Sequence, residues 1–226
     1  MEQITALTFD FGGTLAYGEL DKENYWNALI KFFRSIGYSG DVAKINKARL
    51  DMLERLRKAQ LKNMEIRFEM LCSGLMFDLE LHPTNERLKY IERLYKQFFR
   101  IDFIPGIKEM LDYLSKKYKL SIISNAISYV SRYALKNLDL EKYFDYIILS
   151  CDLGIRKPDP EIFNFVLYNW GIEGHEVIHV GDSLENDIQG GKNAGMQTVW
   201  IKGKEEIMDI HPDFIIDKVT ELPRFF

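Results

Sequence analysis

Short apolar runs rich in β-branched and aromatic residues recur through the chain, and from about residue 101 they alternate with stretches patterned as helices. The runs cover residues 4–9, 120–124, 146–150, 176–180, 198–201 and 214–216, and the intervening helical patterns cover 106–117, 127–137, 160–170 and 184–194. A strand followed by a helix of this length returns the chain to the edge it started from, so the next strand runs parallel to the last. The sequence therefore predicts an α/β fold: a doubly wound parallel sheet with helices on its faces.

Residues 16 to 100 interrupt this rhythm and contain no strand-like run. Tyr25, Leu29, Phe32, Phe33 and Ile36 recur near helical spacing, as do Leu50, Leu53 and Leu56. Met70, Leu71, Leu75 and Met76 extend the pattern, followed by Leu88, Ile91, Leu94 and Phe98. The expected organisation is a core of residues 1–15 and 101–226, with an all-helical insert at 16–100 after the first strand. The aromatics of the insert are expected in its own core.

Composition narrows the function. A formal net charge of −4 gives no basic footprint for nucleic acid. No segment has the ~18 uncharged apolar residues of a membrane span. The opening Met1-Glu2-Gln3 lacks the basic run of a signal peptide, so a cytoplasmic protein is expected. Cys72 and Cys151 are then expected to be reduced thiols rather than a disulfide.

Open parallel sheets bind ligands beyond the carboxyl ends of their strands. Four groups of polar residues sit there. Asp10, Gly12, Gly13 and Thr14 follow the first strand, and Ser124 and Asn125 end the second. Arg156-Lys157-Pro158-Asp159 lies in the loop after the third, and Gly181-Asp182-Ser183-Leu184-Glu185-Asn186-Asp187 follows the fourth. Several carboxylates in one crevice repel unless a cation lies between them, and oxygen ligands favour magnesium. A hydroxyl and a lysine nearby orient a phosphoryl group and offset its charge. Glycines beside Asp10 let backbone amides approach an anion. Taken singly, these residues have plainer uses: Asp10 as a strand-end turn residue, Ser124 as a helix cap, and Asp159 before Pro160 as an N-cap.

In this order and strand context, Asp10-Phe11-Gly12-Gly13-Thr14-Leu15, Ser124, Lys157 and the Gly181–Asp187 segment resemble the four motifs of the haloacid dehalogenase superfamily. The resemblance spans about Asp10 to Met196, and the insert is similar to that family's helical cap. It implies a Rossmann-like core and a hydrolase in which Asp10 attacks phosphorus and becomes an aspartyl phosphate. Asp10, the carbonyl of Gly12, Asp182 and Asp187 would hold Mg2+. Ser124 and Lys157 would act on the transferring phosphoryl group, with Gly13, Thr14 and Asn125 completing the phosphate site. The implied partner is a small phosphorylated molecule, with no nucleic acid and no membrane expected from composition; a monomer or homodimer is the expectation.

One position departs from the pattern. Phosphatases of the family usually carry a second aspartate two residues after the nucleophile, where this chain has Gly12. That residue serves as general acid and base, worth about 10²–10⁴-fold. A slow phosphatase is one outcome, with an acid borrowed from the insert at Glu19, Asp21, Glu23 or His82. A metal-free 2-haloacid dehalogenase is a second. A phosphonate-cleaving enzyme with a Schiff-base lysine such as Lys22 or Lys31 is a third, and a non-catalytic protein that binds a phosphorylated ligand is a fourth. Dehalogenases of the family usually carry serine where this chain has Asp182, so phosphate-ester hydrolysis is the expectation. The string His175-Glu176-Val177-Ile178-His179 matches a zinc-protease pattern but reads as strand, where residues four apart lie about 13 Å from each other.

Overall fold

The computed structural model describes residues 3–203 and 209–226. It divides into two compact units, one made of residues 1–17 and 101–226 and the other of residues 18–100.

The first unit is built on a six-stranded sheet, all of whose described pairings are parallel. β1 (Ala6–Phe9) is central. On one side lie β4 (Lys119–Ser124) and then β5 (Tyr146–Leu149). On the other lie β6 (Val177–Gly181), β7 (Gln197–Ile201) and β8 (Phe214–Ile216). The chain therefore reverses its direction of travel around β1, the switch point at which such sheets open a crevice. β1 and β6 are buried along their whole length, which is why they read as unbroken apolar runs rather than alternating ones.

Alternate residues still choose opposite faces. Leu7, Phe9, Ile122, Ile178 and Val180 pack with α5 (Ile107–Leu114) and with Leu135 of α6 (Val130–Asn137). Ala6, Ile123, Ile148 and Val177 pack with Ile162, Phe163, Val166 and Leu167 of α8 (Pro160–Trp170). α8 begins as its sequence suggests: Asp159 accepts a hydrogen bond from Glu161 N, and Pro160 fills the first turn. A short α7 (Ser150–Leu153) follows β5 directly.

The helix expected at 184–194 takes another form. Residues Leu184–Gln189 make a π-helical turn, and only Gly190–Asn193, α9, are α-helical. The amide of Ile188 reaches back five residues to Ser183 O at 3.2 Å. The widened turn brings Asp187 inward, where it is buried. Such bulges recur at functional sites.

The second unit contains α1 (Lys22–Ser35), α2 (Val42–Gln60), α3 (Phe68–Asp78) and α4 (Asn85–Phe98). Asp21, Asp41 and Thr84 cap α1, α2 and α4 with their side chains. Tyr25, Leu29, Phe33, Leu71, Leu75, Met76, Ile91 and Leu94 are buried as their spacing predicts. On α2 the buried residues are Ile45 and Ala48, while Leu50 and Leu53 face out.

The expectation of no strand between 16 and 100 is corrected at both ends. Ala16–Leu20 forms β2 and Phe99–Phe103 forms β3, paired as a two-stranded sheet. Neither is a convincing strand by itself: β2 holds Gly18 and buries only Ala16. Their pairing partner, about 80 residues away, supplies what local propensity does not. Both cysteines are free and buried. No described helix is long and apolar enough to cross a membrane.

Candidate active site

The parallel register sets the site. Phe9 lies level with Ile122 of β4 and with Val180 of β6. Asp10 therefore emerges one residue past that level, and Ser124 and Asp182 two residues past it, all at the carboxyl edge. The amide of Asp10 still bonds Val180 O at 2.9 Å, so its backbone is held in the sheet as its side chain leaves it.

The loop after β1 turns sharply, with Gly13 N donating to Ala16 O at 2.8 Å. Gly13 has φ +84°, and a Cβ there would lie 2.1 Å from Asp182 Oδ2. It is glycine for both reasons: the left-handed backbone and the close approach of a carboxylate. Gly12 is different, since a Cβ built on it meets nothing within 4 Å and its φ is ordinary. At Gly181 a Cβ would lie 2.2 Å from Asp187 Cγ, so this glycine makes room for the second carboxylate of its own loop.

Lys157 is almost wholly buried, and its ammonium bridges two carboxylates, Asp10 Oδ1 at 2.7 Å and Asp187 Oδ1 at 2.5 Å. Asp187 also accepts from Ser183 N through Oδ2 at 3.0 Å and meets His179 Nε2 at 3.2 Å. Carboxylate oxygens of Asp10, Asp182 and Asp187 lie within 4.8 Å of one another. Burial pushes the Asp10 carboxyl up to about 7, against the pull of Lys157. Burial would also raise Asp187, but Lys157 and His179 hold it below the usual carboxylate range. For Lys157 the burial penalty is outweighed by Asp10 and Asp187, which keep its ammonium above the ordinary lysine value.

This environment fits a divalent cation. Three carboxylates, two of them buried and bridged by one ammonium, come together at a single point. All the donors are oxygens, as magnesium prefers. Gly13 and Gly181 let the Asp182 and Asp187 carboxylates approach the backbone at positions where a Cβ would strike them.

Thr14 is fully buried, and its hydroxyl has no hydrogen-bond partner. Ser124 is buried at the end of β4. Asn125, expected at the phosphate site, is bonded to the main chain of Lys157. Its Nδ2 donates to Lys157 O at 3.0 Å and its Oδ1 accepts from Lys157 N at 2.9 Å, so its amide clamps the lysine's main chain. His179 and Thr8, which none of the four motifs includes, are hydrogen-bonded in line behind Asp187. His179 sits in β6 rather than on a helix, and His175 lies in the preceding 3-10 turn, so the zinc-protease pattern has no helix to work on. The available signal was positional, since His179 lies two residues before Gly181 and level with Thr8.

Of the acids considered in the insert, Asp21 is committed to capping α1. Hydrogen bonds from Asn24 hold its carboxyl below its ordinary value, which makes it a poor proton donor. Glu19, Asp21, Lys22, Glu23 and Arg100 line a cavity of about 730 Å³ within the second unit.

The fold and this edge define an α/β protein with an acidic, lysine-bridged site at the switch point of its sheet. The model of the haloacid dehalogenase-like hydrolases matches residues 8–201. A glyceraldehyde 3-phosphate phosphatase of Pyrococcus furiosus is 30% identical over 234 residues, covering 99% of this chain and 92% of that one. The pyrimidine 5'-nucleotidase YjjG of Escherichia coli is 33% identical over 122 residues, about half of each chain (53% and 54%). Among solved structures, a 2-haloacid dehalogenase from Pseudomonas syringae superposes with a TM-score of 0.74 at 24% identity, covering 98% of this chain and 97% of that one. A HAD phosphatase from Thermococcus onnurineus gives a TM-score of 0.62 at 25% identity, covering 98% and 97%. The chain belongs to the haloacid dehalogenase-like hydrolases.

Proposed function

We propose that the protein hydrolyses the phosphate monoester of a small metabolite, with Asp10 as nucleophile and Mg2+ as cofactor. The observation that carries this reading is the cluster of Asp10, Asp182 and Asp187 around a buried lysine. In-line attack by Asp10 Oδ on phosphorus forms an aspartyl phosphate and expels the alcohol oxygen. Water then attacks that phosphorus, releasing inorganic phosphate and restoring the carboxylate. Lys157 holds Asp10 in place and offsets charge on the phosphoryl oxygens. Ser124 donates to one of those oxygens, and Thr14 and Gly13 shape the turn that presents the nucleophile. Asn125 fixes the main chain from which Lys157 extends. Asp10, Asp182 and the Gly12 carbonyl would hold Mg2+, with Asp187 in support. When bound, the ion supplies positive charge that keeps Asp10 ionised and stabilises the transferring group.

The names of the relatives agree with a phosphatase. Gly12 predicts slow turnover of alkyl esters, whose leaving groups need a proton, and faster turnover of aryl esters. The dehalogenase reading draws on the same Gly12, but a metal-free attack on carbon has no use for the third carboxylate. The test is direct. Purified protein should release phosphate from para-nitrophenyl phosphate only with Mg2+ present. Release of halide from a 2-haloacid in a chelator, without phosphatase activity, overturns the proposal.

A further inference from the structure

Behind Asp187 stands a buried histidine that the reaction scheme leaves without a task. His179 is fully buried in β6, with the ring of Phe163 edge-on at 4.9 Å between centroids. Its Nε2 lies 3.2 Å from Asp187 Oδ1, and its Nδ1 lies 2.8 Å from Thr8 Oγ1. An ionised carboxylate only accepts, so the hydrogen between them belongs to Nε2. Nδ1 of the neutral ring then carries a lone pair, and the Thr8 hydroxyl donates to it. Thr8 is fully buried and level with His179 in the adjacent strand, so both ends of the ring are fixed by the sheet. Gly191 closes the remaining space, since a Cβ there would come within 3.3 Å of His179 Cβ.

These bonds converge on one carboxylate. Asp187 Oδ1 takes Lys157 Nζ and His179 Nε2, while Oδ2 takes Ser183 N. Its orientation is determined from three sides, and it in turn is one of two anchors for the lysine ammonium. We propose that His179, held in its Nε2–H form by Thr8, is a positioning residue that orients Asp187 and through it places the Lys157 ammonium against Asp10. A histidine serving only to fill the core would need neither a fixed tautomer nor a charged acceptor. The proposal rests on the phosphatase reading for its kinetic consequences. A misplacement of a catalytic group by about 1 Å can cost roughly 10²-fold, and loss of a supporting hydrogen bond around a metal site typically costs about 10–100-fold.

The test pairs two variants with a spectroscopic measurement. In His179→Leu, which keeps apolar bulk and loses the donor, kcat for para-nitrophenyl phosphate should fall about 10–100-fold with KM nearly unchanged. In His179→Gln, whose terminal amide can reach Asp187, most of that loss should be recovered. Nitrogen NMR of the wild type should show His179 protonated on Nε2 and bare on Nδ1. The Lys157 Nζ resonance should move in the leucine variant and stay near its wild-type position in the glutamine variant. A folded His179→Leu with wild-type kcat overturns the proposal. So do equal losses in the two variants, or a ring protonated on Nδ1. If His179→Leu does not fold, the glutamine variant and the wild-type tautomer decide. If the wild type has no phosphatase activity, the function proposed above fails, while the tautomer and the lysine resonance still judge the positioning role.

Discussion

The two units of this chain bury polar groups in opposite ways. The first places Asp10, Thr14, Ser124, Lys157 and Asp187 out of solvent at one edge of its sheet, with His179 buried behind them in β6. In the second, Glu65 is the only buried polar residue among the described ones, and the ion pairs Lys44–Glu80, Lys47–Asp51, Arg55–Asp78 and Arg57–Glu54 lie on the surface. Buried charge is costly to desolvate and is rarely kept for stability alone. The first unit bears that cost where chemistry needs a low-dielectric, pre-oriented cluster. The second is an ordinary amphipathic helical assembly, whose exposed charges have little energetic consequence.

The largest expected effect lies at the nucleophile. Asp10→Asn should lower phosphatase turnover on the order of 10⁴-fold or more while the circular dichroism spectrum stays native. Retained turnover would remove the first unit's claim to the chemistry. Next comes the buried bridge. Lys157→Met leaves Asp10 and Asp187 without their shared cation and should cost about 3–5 kcal/mol in urea unfolding. Glu54→Gln, which removes an exposed pair in the second unit, should leave the urea midpoint where it was. Equal shifts in these two variants would erase the contrast.

The two glycines after Asp10 sharpen the same contrast within one loop. Gly13→Ala meets both a positive φ and Asp182, and should cost roughly 1–2 kcal/mol along with weaker Mg2+ binding measured by titration calorimetry. Gly12→Asp has room for its side chain. It should fold normally and speed hydrolysis of alkyl phosphates, by up to about 10²-fold if the new carboxyl finds its geometry. A folded variant with unchanged alkyl turnover would show that the proton comes from another group.

The smallest effect belongs to the second unit. Asp21 has a depressed pKa because it accepts from Asn24 at the start of α1. Its stabilisation is therefore present above the unfolded value, about 3.9, and is lost as pH falls through the lower folded value. Asp21→Ala should lower Tm slightly at neutral pH, and the difference should vanish in strongly acidic buffer. A difference that persists there would place the effect outside the carboxylate.

The parallel sheet was legible because its central strands must be apolar on both faces, and that requirement writes continuous runs such as residues 4–9 and 176–180 into the sequence; the order of the strands came only with their pairing. The site was legible for a related reason: polar residues directly after such runs have only the carboxyl edge to occupy. Asp10, Ser124 and Asp182 end or closely follow such runs, whereas Lys157, seven residues beyond the third run, was singled out by its resemblance to the family's third motif. Other features depend on partners that are remote in the chain. β2 and β3 exist because each pairs with the other across the helical unit, and neither has the composition to announce itself. The π-helical turn carries Asp187 inward, where it meets Lys157, although the local pattern reads as plain helix. Asn125 turned out to clamp the main chain of Lys157, and only folding brings these two within reach. Gly12 and Gly13 are identical letters side by side. The sequence determined that both could turn; the tertiary structure decided that Gly13 alone must be glycine, because the carboxylate of Asp182 arrives from a strand about 170 residues away and takes the space a side chain would fill.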